Sequence, residues 1–195
     1  MNQEEIETFY PKSTEEWRRW LSENHQSKQA IWLIYYKKAA KMPTISWSEA
    51  VDEALCFGWI DSTAKPIDEE KYRQFFSKRK PKSVWSKVNK MKVKKLIETG
   101  LMTQAGFESI EIAKQNGSWT ILDEVEELTI PKDLESALNN KTNAMDFFLS
   151  LSKSARKAML QKLVLAKRSE TRQKRIAEIV ELFLTDKIEE GSKWK

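Results

Sequence analysis

The sequence has one cysteine, one histidine, five glycines and five prolines, and no apolar run of 18 residues. Each shortage closes off a class of protein. A single cysteine cannot form an intramolecular disulfide and fits a reducing compartment. Cys56 and His25 lie in separate elements and match no zinc-ligand spacing, so no metal is expected. No cofactor is expected either, since neither G-x-x-x-x-G-K-S/T nor G-x-G-x-x-G occurs. Scarce glycine and proline argue against a loop-rich sandwich and for helices. Without a long apolar run no membrane span is expected. The opening MNQEEIETFYP lacks the apolar centre of a secretory signal, so the expected location is the cytoplasm.

What is present is charge and aromatic side chains. The chain has 195 residues, of which 32 % are charged and 10 % aromatic, with a formal net charge of +5. Residues 71–95 hold eleven Lys or Arg and no acid. Outside that segment 23 basic residues face 29 acidic ones, so one stretch carries the whole positive excess. An anionic partner is therefore expected.

Periodicity gives an α+β fold. STEEWRRWLSENH opens with Ser13 and Glu16 spaced as a capping box, then places Trp17, Trp20, Leu21 and Asn24 on one helical face. AIWLIYYKK is β-branched and aromatic and reads as a buried strand. SWSEAVDEALCFG repeats the box with Ser46 and Glu49 and stops at Gly58. WIDSTAKPI and EKYRQFFSK read as a hairpin around Asp68. From Ser83 onward the pattern is helical. Thr103 and Ser152 serve as caps, Pro131 opens a short helix, and Ile176, Ile179, Val180, Phe183 and Leu184 form an amphipathic stripe. The expected organisation is an α+β part, residues 1–82, with a small antiparallel sheet, and a helical part, residues 83–195, or both as one continuous domain.

The string EALCFGWIDS, followed by KYRQFFSKRKPKSVWSKVNK, LIETGLMTQAGFESIEIAKQNGSW and AKRSETRQKRI, resembles the YdeI/OmpD-associated, or bacteriocin-protection, family. The resemblance implies a small bacterial protein, α+β at the front and helical behind, without a defined reaction. It points to Glu53, Trp59, Asp61, Tyr72, Arg79, Ser83 and Trp85 as the motif-bearing positions. Where the family commonly has Thr-Pro before the basic cluster, this chain has Ser77-Lys78.

Among candidate groups, Cys56 between apolar neighbours reads as a small buried hydrophobe. His25 reads as a helix C-cap. Asp52, Glu53 and Asp61 read as solvated or paired carboxylates, with Arg79 or Lys80 as the expected partners of Asp61. KRKPKSVWS offers an anion geometry: Arg79, Lys80 and Lys82 precede Ser83, an expected N-cap, and a helix N-terminus favours negative charge. Arg79 would be the specific contact, because its planar fork grips two oxygens. Ser83 and Ser86 would donate hydrogen bonds, and Glu53, Trp59, Asp61, Tyr72 and Trp85 would form the walls. The same segment also reads as a solvated helix face. Strand alternation sends Tyr72, Gln74 and Phe76 to one face and Arg73 with Phe75 to the other.

The sequence thus points to a cytoplasmic, non-catalytic stress or bacteriocin-protection protein whose basic and aromatic groove takes a small anionic ligand or an acidic protein surface. Besides a pure interaction protein using the acidic stretch from Asp123 to Glu135 or the two C-terminal helices, two alternatives stay open. One is a nonspecific nucleic-acid binder, using also Lys167, Arg168, Arg172, Lys174 and Arg175. The other is an enzyme with Glu53 or Asp61 as general base.

Overall fold

The computed structural model describes residues 6–182, which fall into two compact units divided between Trp119 and Thr120. The first unit begins with β1 (Thr8–Phe9), α1 (Thr14–Asn24), β2 (Ala30–Tyr36), α2 (Trp47–Cys56), β3 (Trp59–Pro66) and β4 (Lys71–Lys78). The strands form one sheet in the order β1-β2-β4-β3. β2 pairs antiparallel with β4, and β4 antiparallel with β3, as the hairpin reading expects. β1 adds to β2 in parallel, so the sheet is mixed.

Local chemistry explains most boundaries. Ser13 Oγ accepts from the Glu16 N–H at 3.4 Å, while the Glu16 carboxylate reaches one residue further back, to the Lys12 N–H at 2.8 Å. The second box is complete: Ser46 Oγ accepts from Glu49 N–H, and Glu49 accepts from Ser46 N–H. In the hairpin turn Asp68 Oδ1 accepts the N–H groups of Glu70 and Lys71, an Asx turn that fixes the register. His25 ends α1 as expected, with Nδ1 2.9 Å from the Leu21 carbonyl.

Alternation sorts the sheet into two faces. Ile31, Leu33, Tyr35 and Phe76 are buried on the inner face. Trp17 of α1 meets Phe76 edge-on at 5.5 Å, and Trp20 meets Trp59 at 5.7 Å. Fully buried indoles such as Trp17, Trp59 and Trp85 each contribute roughly 4–6 kcal/mol of gross transfer free energy.

Two helices complete the unit, α3 (Lys87–Glu98) and α4 (Gln104–Gln115). Strands end before residue 87, yet the packing unit runs on to Trp119. Lys92 ties α3 to α2 through Asp52 at 2.6 Å. Gly106 lets α4 lie against the end of α2: a Cβ there would stand 2.4 Å from the Cys56 carbonyl oxygen. Thr103 opens α4, but its hydroxyl donates to that same carbonyl at 2.6 Å instead of capping the helix.

The second unit is helical: α5 (Asp123–Glu126), α6 (Lys132–Asn139), α7 (Ala144–Ser150), α8 (Lys153–Val164) and α9 (Ser169–Glu181). Its core is built on Leu134, Leu138, Phe148, Leu160 and Leu163. Arg172 of α9 grips Asp133 of α6 with both Nε and Nη2, at 2.6 and 2.9 Å. Phe183 and Leu184 of the expected stripe lie outside the described residues. Among the described residues no helix is long and apolar enough to cross a membrane.

Candidate functional site

The segment after β4 is where the expected anion chemistry lies, and its shape follows from a few hydrogen bonds. The Arg79 N–H donates to the Gly58 carbonyl at 2.9 Å, carrying the β3–β4 pairing one step past the strand. The Pro81 carbonyl accepts from Asn116 Nδ2 at 2.7 Å and Ser118 Oγ at 3.2 Å, which latches the loop to the end of α4. Ser83 donates its N–H to Lys80 in a turn. The helix therefore starts later than expected. Ser86, whose Oγ accepts from the Asn89 N–H at 3.2 Å, is the N-cap of α3, and Ser83 is not.

Arg79 is held but not neutralised. Its guanidinium lies 3.6 Å from the centroid of Trp85, and Trp85 packs against Trp119 at 4.9 Å. Nη1 donates to the Val84 carbonyl at 2.9 Å, while Nε is enclosed with no acceptor. Among the described residues no carboxylate pairs with it. Burial pulls its pKa down to about 10, offset only in part by the charge of Asp61.

Beside it is a cleft of about 290 Å³. Lys78, Arg79, Lys80 and Pro81 form one part of the lining, and Ala105, Glu108, Ser109 and Ile112 of α4 another. His25, Gln26, Phe57 and Gly58 complete it. Gly58 has φ +70°, and a Cβ at that position would lie 2.9 Å from the Ala105 carbonyl oxygen, so the junction requires glycine. Lys78 Nζ already donates to the Gln26 carbonyl at 2.6 Å, and Glu108 accepts from Gln104 at 3.1 Å.

Of the residues selected from the sequence, Arg79 and Lys80 line this cleft. Lys82, Ser83 and Ser86 do not, and neither do Glu53, Trp59, Asp61, Tyr72 and Trp85, although Trp85 backs Arg79. The carboxylates have diverged. Glu53, buried, pairs with Arg18 at 2.6 Å, and Asp52 pairs with Lys92. Asp61 accepts from Trp47 Nε1 at 2.8 Å and Gln74 Nε2 at 3.1 Å, not from Arg79 or Lys80. Tyr72 stacks on Tyr35 at 5.0 Å on the inner face, where burial raises the pKa of Tyr35 and leaves its hydroxyl without a partner. Trp59 Nε1 reaches the His25 carbonyl at 3.4 Å. Cys56 is fully buried, and burial pushes its thiol up to about 11.

Sequence reasoning missed Lys78, Phe57 and the whole α4 contribution to the cleft. Lys78 adjoins Arg79 and was within reach of a charge argument. The α4 residues carry no local signal, since only tertiary packing brings them to the loop.

A second hollow, of about 460 Å³, is lined by Ala137, Asn140, Lys141, Gln173, Ile176, Ala177, Val180 and Glu181 of α6 and α9 with the turn after α6. The second basic group is spoken for in part: Arg172 by Asp133, Lys174 by Glu178 at 4.0 Å, and Arg175 by the Lys162 carbonyl. Among the described residues no group of three His, Cys, Asp or Glu could hold a metal ion.

Family comparisons divide the chain much as its packing does. A model of a domain of unknown function (DUF8412) matches residues 9–109, and one described as bacteriocin-protection, YdeI or OmpD-associated matches residues 127–185. All the cleft residues but Ile112 belong to the first match, together with most of the motifs that carry the family resemblance. No curated protein and no solved structure gives a significant match. The chain thus belongs to the DUF8412 family, with a bacteriocin-protection, YdeI or OmpD-associated domain in its helical unit.

Proposed function

We propose that the protein binds a small anionic group in the Arg79 cleft, a phosphate or carboxylate of a free ligand or of an acidic partner surface. The single observation that carries this reading is a guanidinium withdrawn from water without an acid to pair with. Removing a charge from water is costly unless another charge or a set of hydrogen bonds compensates. Arg79 has an aromatic face and one carbonyl, which leaves part of its fork for a ligand. Lys78 and Lys80 add positive charge at the same lining. Phe57, Ala105 and Ile112 supply an apolar surface that weakens competing hydration.

On the family description, this binding would serve bacteriocin protection, in the cytoplasm, without a chemical step. The general-base alternative needs Glu53 or Asp61 in the cleft, and neither lines it.

The test is a thermal-shift and calorimetric screen of the full chain with inorganic phosphate, phosphorylated metabolites and di- and tricarboxylates. A ligand at 100 times its dissociation constant stabilises by about 2.7 kcal/mol. Arg79→Ala should abolish the shift and Arg79→Lys should weaken it, because charge without the fork is not enough. Ligand affinity unchanged in Arg79→Ala would overturn the proposal.

A further inference from the structure

The outer face of the sheet carries a different constellation, independent of the Arg79 cleft. Its register positions are Ala30, Trp32, Ile34 and Tyr36 on β2, and Lys71, Arg73, Phe75 and Ser77 on β4. Thr8 on β1 and Ile60 and Lys65 on β3 complete it. No carboxylate occupies any of these positions. Trp32 and Phe75 are cross-strand partners, with ring centroids 5.0 Å apart and planes tilted by 67°. Arg73 lies over Trp32 at 4.5 Å and Lys65 at 5.5 Å. Arg73 Nε has no acceptor, and among the described residues no carboxylate pairs with Arg73 or Lys65. Lys71 is the exception, pairing with Asp68 in the turn.

Three aromatic rings, Trp32, Tyr36 and Phe75, are half-buried on the face opposite α1, whose Trp17 and Trp20 pack on Phe76 and Trp59 of the inner side. A hydrophobic protein partner would have to strip water from the Arg73 and Lys65 charges without pairing them, and an acidic surface would find nothing to match the rings. One class of ligand combines flat apolar plates with regularly spaced negative charge. We propose that this face binds single-stranded nucleic acid. Trp32, Phe75 and the guanidinium plane of Arg73 stack unpaired bases, and Arg73 and Lys65 hold phosphates. The tilt between the rings suits bases that have left a common stack. A duplex hides its base faces and can offer only phosphates, so it binds more weakly.

The experiment is fluorescence anisotropy with labelled oligothymidylate and oligouridylate of about 15 nucleotides, a typical single-strand site length. A duplex of equal length is measured beside them, all in low and physiological salt. The expected result is binding of at least one single strand, tighter than the duplex. Trp32→Ala and Arg73→Gln should each weaken it roughly ten-fold. Trp32→Phe should keep most of the affinity, and melting curves should show every variant folded. If Trp32→Ala does not fold, Arg73→Gln and Phe75→Leu give the same reading. Equal affinity for duplex and single strand, unchanged binding in the variants, or no binding at low salt would each overturn the proposal.

Discussion

Arg18 and Arg79 make the most instructive contrast in the N-terminal unit. Both guanidiniums lie against aromatic rings, Arg18 at 5.3 Å from Phe57 and Arg79 at 3.6 Å from Trp85. Both donate to a backbone carbonyl, that of Leu101 and of Val84 respectively. Only Arg18 has an acid, Glu53 at 2.6 Å. The first arginine is a closed account of charge, binding α1 to α2 and to the link between α3 and α4. The second is an open one beside a cleft. A neutralised cation is structural, whereas the unneutralised one is where the proposed function places a ligand.

That contrast can be broken at several points. The largest effect should come from Arg18→Ala, which strands the Glu53 carboxylate in the core. A loss of about 3 kcal/mol in urea denaturation is expected, the lower end for a broken buried pair because Arg18 is partly exposed. Cys56, next to the same arginine, should give a pH signature of about 2–3 kcal/mol. Its thiol is raised to about 11 in the folded chain, so between pH 9 and 11 the native state keeps a proton that the unfolded chain has released. The stabilisation is complete below pH 9 and fades as pH rises toward 11. Stability curves of the parent and Cys56→Ala should therefore diverge over that range and run parallel below it. Gly106→Ala should cost about 2 kcal/mol, because its Cβ would meet a backbone oxygen that cannot retreat. Smallest should be Arg79→Ala, within about 1 kcal/mol, since the lost ring contact is balanced by relief of an unpaired charge. An Arg79→Ala loss as large as that of Arg18→Ala would erase the distinction.

How far these features could be read from sequence depends on how local their causes are. The Ser13 cap, the Ser46 box and the Asp68 turn act within four residues and were legible, although Glu16 closes on Lys12 and leaves the first box incomplete. The two-residue strand β1 was not, because its only reason to be extended is the neighbouring β2. The start of α3 shows the boundary between the cases. Ser83 and Ser86 both satisfy an N-cap rule, and the choice is made from a distance, by Asn116 and Ser118 on Pro81 and by Trp119 on Trp85. The candidate site divides in the same way. Its cations were visible as a run of charge, but the opposite lining comes from α4, more than 20 residues along. Gly58 announced itself as a helix stop, whereas Gly106 sits inside a helix, where nothing local calls for it.

The stack of Arg79 on Trp85, with Trp119 behind it, has an optical consequence. A positive charge this close to an indole shifts the energy of its excited state, and two indoles at 4.9 Å couple their transitions. An anion that neutralises Arg79 changes the field across an absorbing ring. If an anion binds there as proposed, the protein contains its own indicator, and a difference spectrum in the near ultraviolet would report occupancy of the cleft without any label.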